Sequence, residues 1–273
     1  MPMSPRLLRP RASAQPFLLD IASAAYAYSL RQLSRTYTGA VIRVRRSSDS
    51  AEQDFNPAEV SGSAMLGFVG AGDGHVVTWY DQSGNNRHVT APSATAQPRV
   101  VISGTRRTIG TLTAIDFDGT NDGLKATTGL TNSHGIVASV TQADTSSGAR
   151  TIWRLNGGFV ISIHRFNGTL FNSLTQGSPG LNLNTTVTPT NRLLLVSQFG
   201  SAGAEQFVNS AAGSTGNGVL STASPVGIGI GLEPNGNGEN YDGRMQEVVA
   251  FDTSSPALRV FIEQNMNSYY AIY

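Results

Sequence analysis

Three carboxylates and an amide fall within the segment Asp116-Phe117-Asp118-Gly119-Thr120-Asn121-Asp122. Asp116 and Asp118 are two positions apart, so they share one face if the segment ends a strand, and Asn121 and Asp122 follow a turn. Oxygen ligands of this kind suit a hard cation such as calcium. The same residues also supply the side-chain to backbone hydrogen bonds of a tight turn. The sequence leaves both interpretations open, a turn and a calcium site on Asp116, Asp118 and Asp122, and favours the turn.

The sequence offers few cysteine or histidine ligands for other metals. The chain has no cysteine, which excludes disulfides, thiol chemistry and sulfur-ligated zinc sites. Its four histidines show no spacing that would bring two together on one helical turn: His75, His88, His134 and His164. We therefore expect no transition-metal centre and no cofactor.

Two tryptophans are the natural candidates for recognising a sugar. An aromatic ring such as Trp79 or Trp153 can stack on the apolar face of a sugar, while amide and carboxylate groups bind its hydroxyls. Asn235 is an amide of that kind in a polar loop. Trp79, Trp153 and Asn235 are accordingly the candidate ligand-binding residues.

Composition indicates an all-β protein. There are 30 glycines, 12 prolines and 14% charged residues, which is typical of short strands joined by small-residue turns. The 39% of hydrophobic residues can fill the space between two sheets. Net charge is +1, so no global field attracts nucleic acid or an anionic membrane, and neither is an expected partner. The length fits one sandwich, and we predict residues 18–273 to be a single domain.

Short apolar or alternating runs predict the strands, and no long helical pattern interrupts them. The predicted strands are Val41–Val44, Val76–Tyr80, Arg99–Ile102, Ala114–Phe117, Ile136–Val140, Thr151–Leu155, Phe159–His164, Leu193–Phe199, Gln206–Val208, Val226–Ile230 and Met245–Phe251. Such a series favours an antiparallel sandwich. Asn167-Gly168 predicts the turn of a hairpin.

Helical spacing of apolar residues predicts a helix near each end of the chain. One spans Leu18 to Leu33, and the other begins after Ser254-Ser255-Pro256, a polar cap followed by proline. Glu247 and Glu263 are flanked by large apolar residues, so each is a candidate for pairing with an arginine near the core boundary.

Residues 1–17 mix arginine, proline and leucine without the continuous apolar core of a secretory signal. A proline-bearing segment with so few core residues is typical of an extended arm, which is either disordered when isolated or ordered by lying across a neighbouring subunit. We predict that residues 1–17 form such an arm.

Three blocks in the sequence resemble the catalytic-domain family of α-L-arabinofuranosidase B, a concanavalin A-like β-sandwich also found in bacterial and phage proteins. The blocks are Ala27 to Asp49, the loop Trp79-Tyr80-Asp81-Gln82-Ser83-Gly84-Asn85, and Tyr241 to Val249 followed by Phe261 to Asn265. The resemblance implies a concanavalin A-like antiparallel β-sandwich (jelly roll) with the arm and a short helix before it and a helix after it. The second block consists largely of turn formers, so its first expected role is structural.

The resemblance also implies where catalytic carboxylates would lie. The position of the family's nucleophilic glutamate is matched by Thr151 in Gly148-Ala149-Arg150-Thr151, and threonine cannot replace a carboxylate nucleophile without a base. The general acid follows a Gly-Ile-Gly run, which makes Glu233 the catalytic candidate here. The family's pair of adjacent cysteines has no counterpart. Because of these departures, we expect a non-enzymatic protein rather than a glycoside hydrolase.

The sequence hypothesis is therefore a structural or surface-display protein of a phage virion, such as a decoration, fibre or tail component. Its partners would be other virion or surface-assembly proteins, engaged through residues 1–17, with a host-surface glycan as a further ligand. A homo-oligomer on a virion or extracellular surface is expected. The alternative is a carbohydrate-binding module or an arabinofuranosidase-like glycoside hydrolase.

Overall fold

A computed structural model describes residues 15–127, 135–156, 160–175, 181–200, 203–217, 227–232 and 239–273. Antiparallel strands dominate these ranges and build two facing sheets. In chain order the strands are β1 (Tyr26–Ser29), β2 (Ile42–Arg46), β3 (Glu52–Phe55), β4 (Gly74–Trp79), β5 (Val89–Thr90), β6 (Arg99–Ile102), β7 (Thr105–Arg106), β8 (Thr108–Ile109), β9 (Leu112–Thr113), β10 (Ile115–Asp118), β11 (Leu124–Thr127), β12 (Ile136–Ala143), β13 (Ala149–Asn156), β14 (Val160–Asn167), β15 (Leu170–Thr175), β16 (Leu181–Thr186), β17 (Leu193–Gly200), β18 (Gly203–Val208), β19 (Ala211–Gly216), β20 (Gly227–Ile230) and β21 (Asp242–Phe251).

Helices are few and short in the described ranges, apart from the last. The α-helices are α1 (Pro57–Ser61), α2 (Ala64–Val69) and α3 (Pro256–Tyr270), and 3-10 turns form at Leu18–Asp20 and Ala94–Ala96. The start of α3 is capped by Ser255, whose side chain accepts a hydrogen bond from the Leu258 backbone N–H, with proline at the first helical position. No helix in these ranges combines the length and the apolar character that crossing a membrane requires.

The first sheet is built around β21. This strand pairs with β12 along one edge and with β1 and β10 along the other, and β17, β18 and β19 continue the sheet beyond β12. The second sheet runs β3-β2-β4-β5-β11-β20-β13-β14-β15-β16. Strand β6 pairs with both β10 and β4 and thereby joins the two sheets at one end.

Two hydrophobic cores follow from this layering. The larger lies between the sheets and includes Trp79, Trp153 and Phe171. The smaller lies between the first sheet and α3, where Ile262 and Met266 of the helix pack on the sheet. The first sheet is therefore covered on both faces, which accounts for the nearly continuous burial of β21.

The Trp-Tyr-Asp-Gln-Ser-Gly-Asn loop fastens β1 in place. Buried Asp81 accepts hydrogen bonds from the backbone N–H groups of Ala27, Ser83 and Arg87. Buried Gln82 accepts from the Leu33 N–H and donates to the backbone carbonyls of Ser29, at the end of β1, and of Arg31. The motif thus satisfies backbone groups that no strand pairs, which is the structural role expected from its turn-forming residues.

A buried ion pair connects β21 to the segment after β1. Arg31 donates through Nε and Nη2 to the two carboxylate oxygens of Glu247 at 2.7 and 3.0 Å, and Nη2 also reaches Asn265 of α3 at 2.8 Å. Ser29 and Tyr270 each donate to the same carboxylate at 2.8 Å. Burial opposes the charge of Arg31, but the Glu247 carboxylate raises its pKa above the usual value, so the guanidinium stays protonated.

The sandwich class is confirmed, as are the strand positions wherever the structure describes them and the hairpin at Asn167-Gly168. The pairing of Glu247 and Glu263 with arginines is also confirmed, the second with Arg259 at 2.6 Å. The single-domain prediction stays untested, and the predicted arm lies outside the described residues up to residue 14. Its last described part, at Pro16, offers a carbonyl to Asn265.

The predicted helix from Leu18 to Leu33 is wrong. The segment forms a 3-10 turn and then strand β1, which pairs with Ala250 to Glu247 of β21. Its apolar residues fit helical spacing because β1 is buried on both faces, so that its side chains do not alternate between polar and apolar. Tertiary pairing overrides the local pattern.

Replacing Glu247 with glutamine should strongly destabilise the fold. The change keeps the volume but leaves the Arg31 guanidinium buried without its countercharge, which costs about 3–5 kcal/mol of unfolding free energy. The control is Asp54→Asn, which breaks the exposed pair with Arg43 and should cost no more than about 1 kcal/mol. Equal losses for the two variants in urea denaturation would contradict the assigned role of the pair.

His164 should make the fold sensitive to acid. It is fully buried between Trp153 and Phe171, with no hydrogen-bond partner for either ring nitrogen in the described residues, and burial lowers its pKa to about 3. The histidine of the unfolded chain has a pKa near 6.5, so between about pH 6.5 and 3 the unfolded chain binds a proton that the folded chain does not. The free energy of unfolding therefore falls as the pH drops through this range. His164→Phe should remove this part of the acid dependence. An unchanged difference in unfolding free energy between pH 7 and pH 4 in that variant would refute the assignment.

Candidate functional site

A transverse row of side chains crosses the outer face of the second sheet. The direct register partners are Thr151 with Arg165, Arg165 with Asn172, and Asn172 with Asn184, on strands β13 to β16. Directly opposed residues on antiparallel strands share a face. The neighbouring residues of the same strands, such as His164 and Phe171, point into the core between the sheets. The row therefore faces away from the core.

Arg165 is the centre of this row. Its Nε donates to Oδ1 of Asn172 at 2.9 Å, and its Nη1 lies 3.0 Å from both carboxylate oxygens of Glu239. The two charged side chains are partly exposed, at 21% and 26%. A guanidinium and a carboxylate are thus held together at the surface without being removed from solvent.

Three asparagines continue the arrangement. Asn172 is buried, and its Nδ2 donates to Oδ1 of Asn182 at 2.7 Å and to Oδ1 of Asn184. Asn182 and Asn184 are exposed and lie two residues apart on β16, so both amides face solvent on the same side. We call the group Arg165, Asn172, Asn182, Asn184 and Glu239 the outer-face cluster.

Two further cations lie beside the cluster on the same face. Arg154 is opposite Gly229 of β20, which in turn is opposite exposed Lys125. Burial lowers the pKa of Arg154, with Glu239 opposing that effect and Arg165 adding to it, so the three groups interact electrostatically. Glycine between Lys125 and Arg154 leaves this part of the sheet without an intervening side chain.

The position that the sequence resemblance assigns to a nucleophile falls in this row. Thr151 is fully buried, and its backbone N–H donates to the Glu239 carbonyl at 2.7 Å. The catalytic candidate Glu233 and the ligand candidate Asn235 lie outside the described residues. Glu239 follows that segment and brings a carboxylate to the cluster that the sequence did not single out.

The structure does not support the two tryptophans as sugar-stacking residues. Trp79 and Trp153 are both 0% exposed. Trp79 packs on Tyr28, and Trp153 stacks on His164 with ring centroids 5.3 Å apart. Neither ring presents a face to solvent, because β-strand alternation turns both towards the core. This correction moves the candidate site from aromatic residues to polar ones.

The acidic segment from Asp116 to Asp122 forms a turn. The Asp118 carboxylate accepts hydrogen bonds from three backbone N–H groups, those of Thr120, Asn121 and Asp122, and Asp122 accepts from the Asp118 N–H. Asp116 instead pairs with Arg107 at 3.0 Å. Across the described ranges, no group of three or more acidic or histidine side chains is arranged to hold a metal ion.

A signal for the outer-face cluster was present in part of the sequence. The run Leu181-Asn182-Leu183-Asn184 alternates strictly and predicts a half-buried strand with asparagines outward. Arg165 and Glu239 have no such signal, since they are 74 positions apart and meet only through the sheet topology.

Comparison with known proteins gives the fold. The sequence matches no protein-family model and no curated protein. Among solved structures, a GH54 α-L-arabinofuranosidase soaked with a cyclic sulfate inhibitor is similar with a TM-score of 0.65 at 14% identity, over 89% of this chain and 62% of that one. A second arabinofuranosidase, complexed with arabinofuranosyl-α-1,2-xylobiose, gives 0.58 at 14% identity, over 91% and 64%.

Two solved structures of other kinds of protein are similar at lower TM-scores. The receptor-binding domain of botulinum neurotoxin type G gives a TM-score of 0.52 at 8% identity, over 86% of this chain and 52% of that one. Trypanosoma rangeli sialidase in complex with 2,3-difluorosialic acid gives 0.50 at 14% identity, over 70% and 31%. The chain thus spans less than two thirds of the length of all four. At these identities the likeness shows a shared β-sandwich fold and nothing about activity.

Asp122 should produce a measurable pH dependence of stability. Burial and the nearby Asp118 carboxylate raise its pKa to about 7. The folded state therefore binds more protons than the unfolded state between about pH 4 and 7, and stability falls as pH rises through that window. Asp122→Asn keeps the acceptor for the Asp118 N–H and should be more stable than the unchanged chain at pH 8 but not at pH 4.

The same variant tests the calcium alternative. Millimolar calcium should leave the melting temperature of both proteins unchanged at pH 8. A calcium-dependent rise in the melting temperature that Asp122→Asn abolishes would replace the turn assignment with a cation site.

Proposed function

We propose that this protein is a carbohydrate-binding β-sandwich that recognises a glycan through the outer-face cluster and does not hydrolyse it. The observation that carries the proposal is the row on β13 to β16. It presents a guanidinium, a carboxylate and two exposed amides in a fixed arrangement on a rigid sheet. Planar groups of this kind bind the hydroxyl and ring oxygens of sugars by paired hydrogen bonds.

The same row argues against hydrolysis. Glycoside hydrolysis by the usual routes needs two carboxyl groups on either side of the scissile bond. Thr151 stands where the resemblance places one of them, and it is buried with its backbone bonded to Glu239. Within the described residues, the carboxylate of the cluster is Glu239, and Arg165 holds both of its oxygens. A carboxylate so engaged is a better structural partner than a nucleophile.

The fold likeness supports this proposal more than the virion hypothesis. The arabinofuranosidases and the sialidase act on or bind sugars according to their descriptions, and they share the sandwich. None of the four similar structures named above is a virion component. The virion role, the location on a virion or extracellular surface and the homo-oligomer stay predictions from the sequence.

Arg165→Ala should weaken glycan binding by about 10- to 100-fold, since a hydrogen bond to a charged group contributes roughly 1.5–3 kcal/mol. The matched control is Arg43→Ala, which removes another partly exposed guanidinium of the second sheet, paired with Asp54 on β2 and β3. A glycan array should first identify a ligand for the unchanged chain. Titration calorimetry then compares the variants, and circular dichroism checks that both fold.

Equal affinity of the Arg165 and Arg43 variants would remove the cluster as the binding site. A search for hydrolysis with an aryl α-L-arabinofuranoside completes the test. Turnover above background that Glu239→Gln lowers would convert the proposal from a binding module to an enzyme.

A further inference from the structure

The hydrogen bonds within the outer-face cluster determine which of its polar groups are free to bind a ligand. Arginine has donors only, so the Asn172 atom that receives Arg165 Nε at 2.9 Å must be its oxygen. The orientation of the Asn172 amide is fixed by this single contact. Its nitrogen consequently points towards β16.

That orientation propagates to the exposed amides. Because Asn172 Nδ2 donates to Asn182 and Asn184, each of these must turn its oxygen inward. Asn184 Nδ2 makes one further contact, to Asn182 Oδ1 at 3.3 Å. The remaining N–H groups of these two exposed amides have no partner within the described residues.

Each side-chain oxygen of the cluster already receives a hydrogen bond from within it, whereas several donors remain free. Both oxygens of Glu239 receive Arg165 Nη1 and keep further lone pairs, while Arg165 Nη2 makes no hydrogen bond within the described part of the chain. The outward donors of the cluster are therefore Arg165 Nη2, Asn182 Nδ2 and Asn184 Nδ2. Exposed Lys125 adds a further donor and a positive charge on the same face.

We infer that the cluster binds an anionic, acceptor-only substituent of a glycan, namely a carboxylate or a sulfate. Such a group accepts hydrogen bonds at every oxygen and donates none, so it matches a surface that presents donors. A neutral sugar hydroxyl can accept as well, but it brings no negative charge to Arg165 and Lys125 and so gains less from this surface. The inference rests on the proposed function, because it names the ligand class of the same site.

The test compares four soluble trisaccharides on the full chain by titration calorimetry: galactotriose, trigalacturonic acid, its methyl ester and a sulfated galactotriose. The acid should bind at least about tenfold more tightly than galactotriose and than the ester, which keeps the size but lacks the charge. Comparison of the acid with the sulfated sugar shows which anion the site prefers. Either preference over the neutral sugar supports the inference.

The matched variants are Asn184→Asp and Gln264→Glu. The first still accepts from Asn172 Nδ2 but replaces an outward donor with a carboxylate, so it should reduce binding of the acid by at least about tenfold. The second makes the same amide-to-carboxylate change at an exposed residue of α3, which packs on the first sheet, and should have little effect.

Tight binding of galactotriose and of the ester, unaffected by Asn184→Asp, would overturn the inference and leave the proposed function standing. Binding of none of the four sugars, together with an empty glycan array, would overturn the proposed function and this inference with it.

Discussion

The fold depends on neutralising one buried carboxylate in the middle of the longest described strand. Glu247 lies on β21, which has strands on both edges, and its side chain faces α3. Arg31 supplies the countercharge from the segment after β1, and that segment is held in turn by Gln82 of the loop after β4. The ion pair therefore ties together three distant parts of the chain, and its geometry constrains the strand, the loop and the helix at once.

The three sequence blocks that resemble a known family meet in this network. Ser29 and Arg31 come from the first block, Gln82 from the second, and Glu247 and Asn265 from the third. All five meet in one buried hydrogen-bonded group. A resemblance built on these positions reports the assembly of the sandwich, so it is informative about fold and silent about substrate.

Local patterns predicted eleven of the strands, because short alternating or continuous apolar runs bounded by turn residues are typical of strands. Strands β3, β11, β16 and β19 were among those not predicted. Prediction failed for β1, where burial on both faces removed the alternation, and for α1 and α2, whose five and six residues are too short for a helical period. Asn56 does cap α1 with a reciprocal bond to Glu59, a local signal that the sequence contained.

The candidate site was less predictable than the fold. Residue type suggested the tryptophans, but the direction of each ring depends on which face of its strand meets the core. The cluster instead depends on the order of strands in the sheet. Strand β20 pairs with β11 and β13, and Glu239, which follows β20 in the chain, lies beside Thr151 of β13 and within reach of Arg165. Asn182 and Asn184 were visible as an alternating pair, whereas their common partner Asn172 required the register of β15 against β16.

The chain of amides has a consequence for how such surfaces diverge. The orientation of two exposed asparagine amides on β16 is set from the neighbouring strands, by the donor that Asn172 receives from Arg165. An acceptor at position 165 would let all three amides turn over, and positions 182 and 184 would then present carbonyl oxygens without being substituted themselves. Related proteins with the same two exposed asparagines can therefore differ in ligand preference, and the residue that decides it lies two strands away, at position 165.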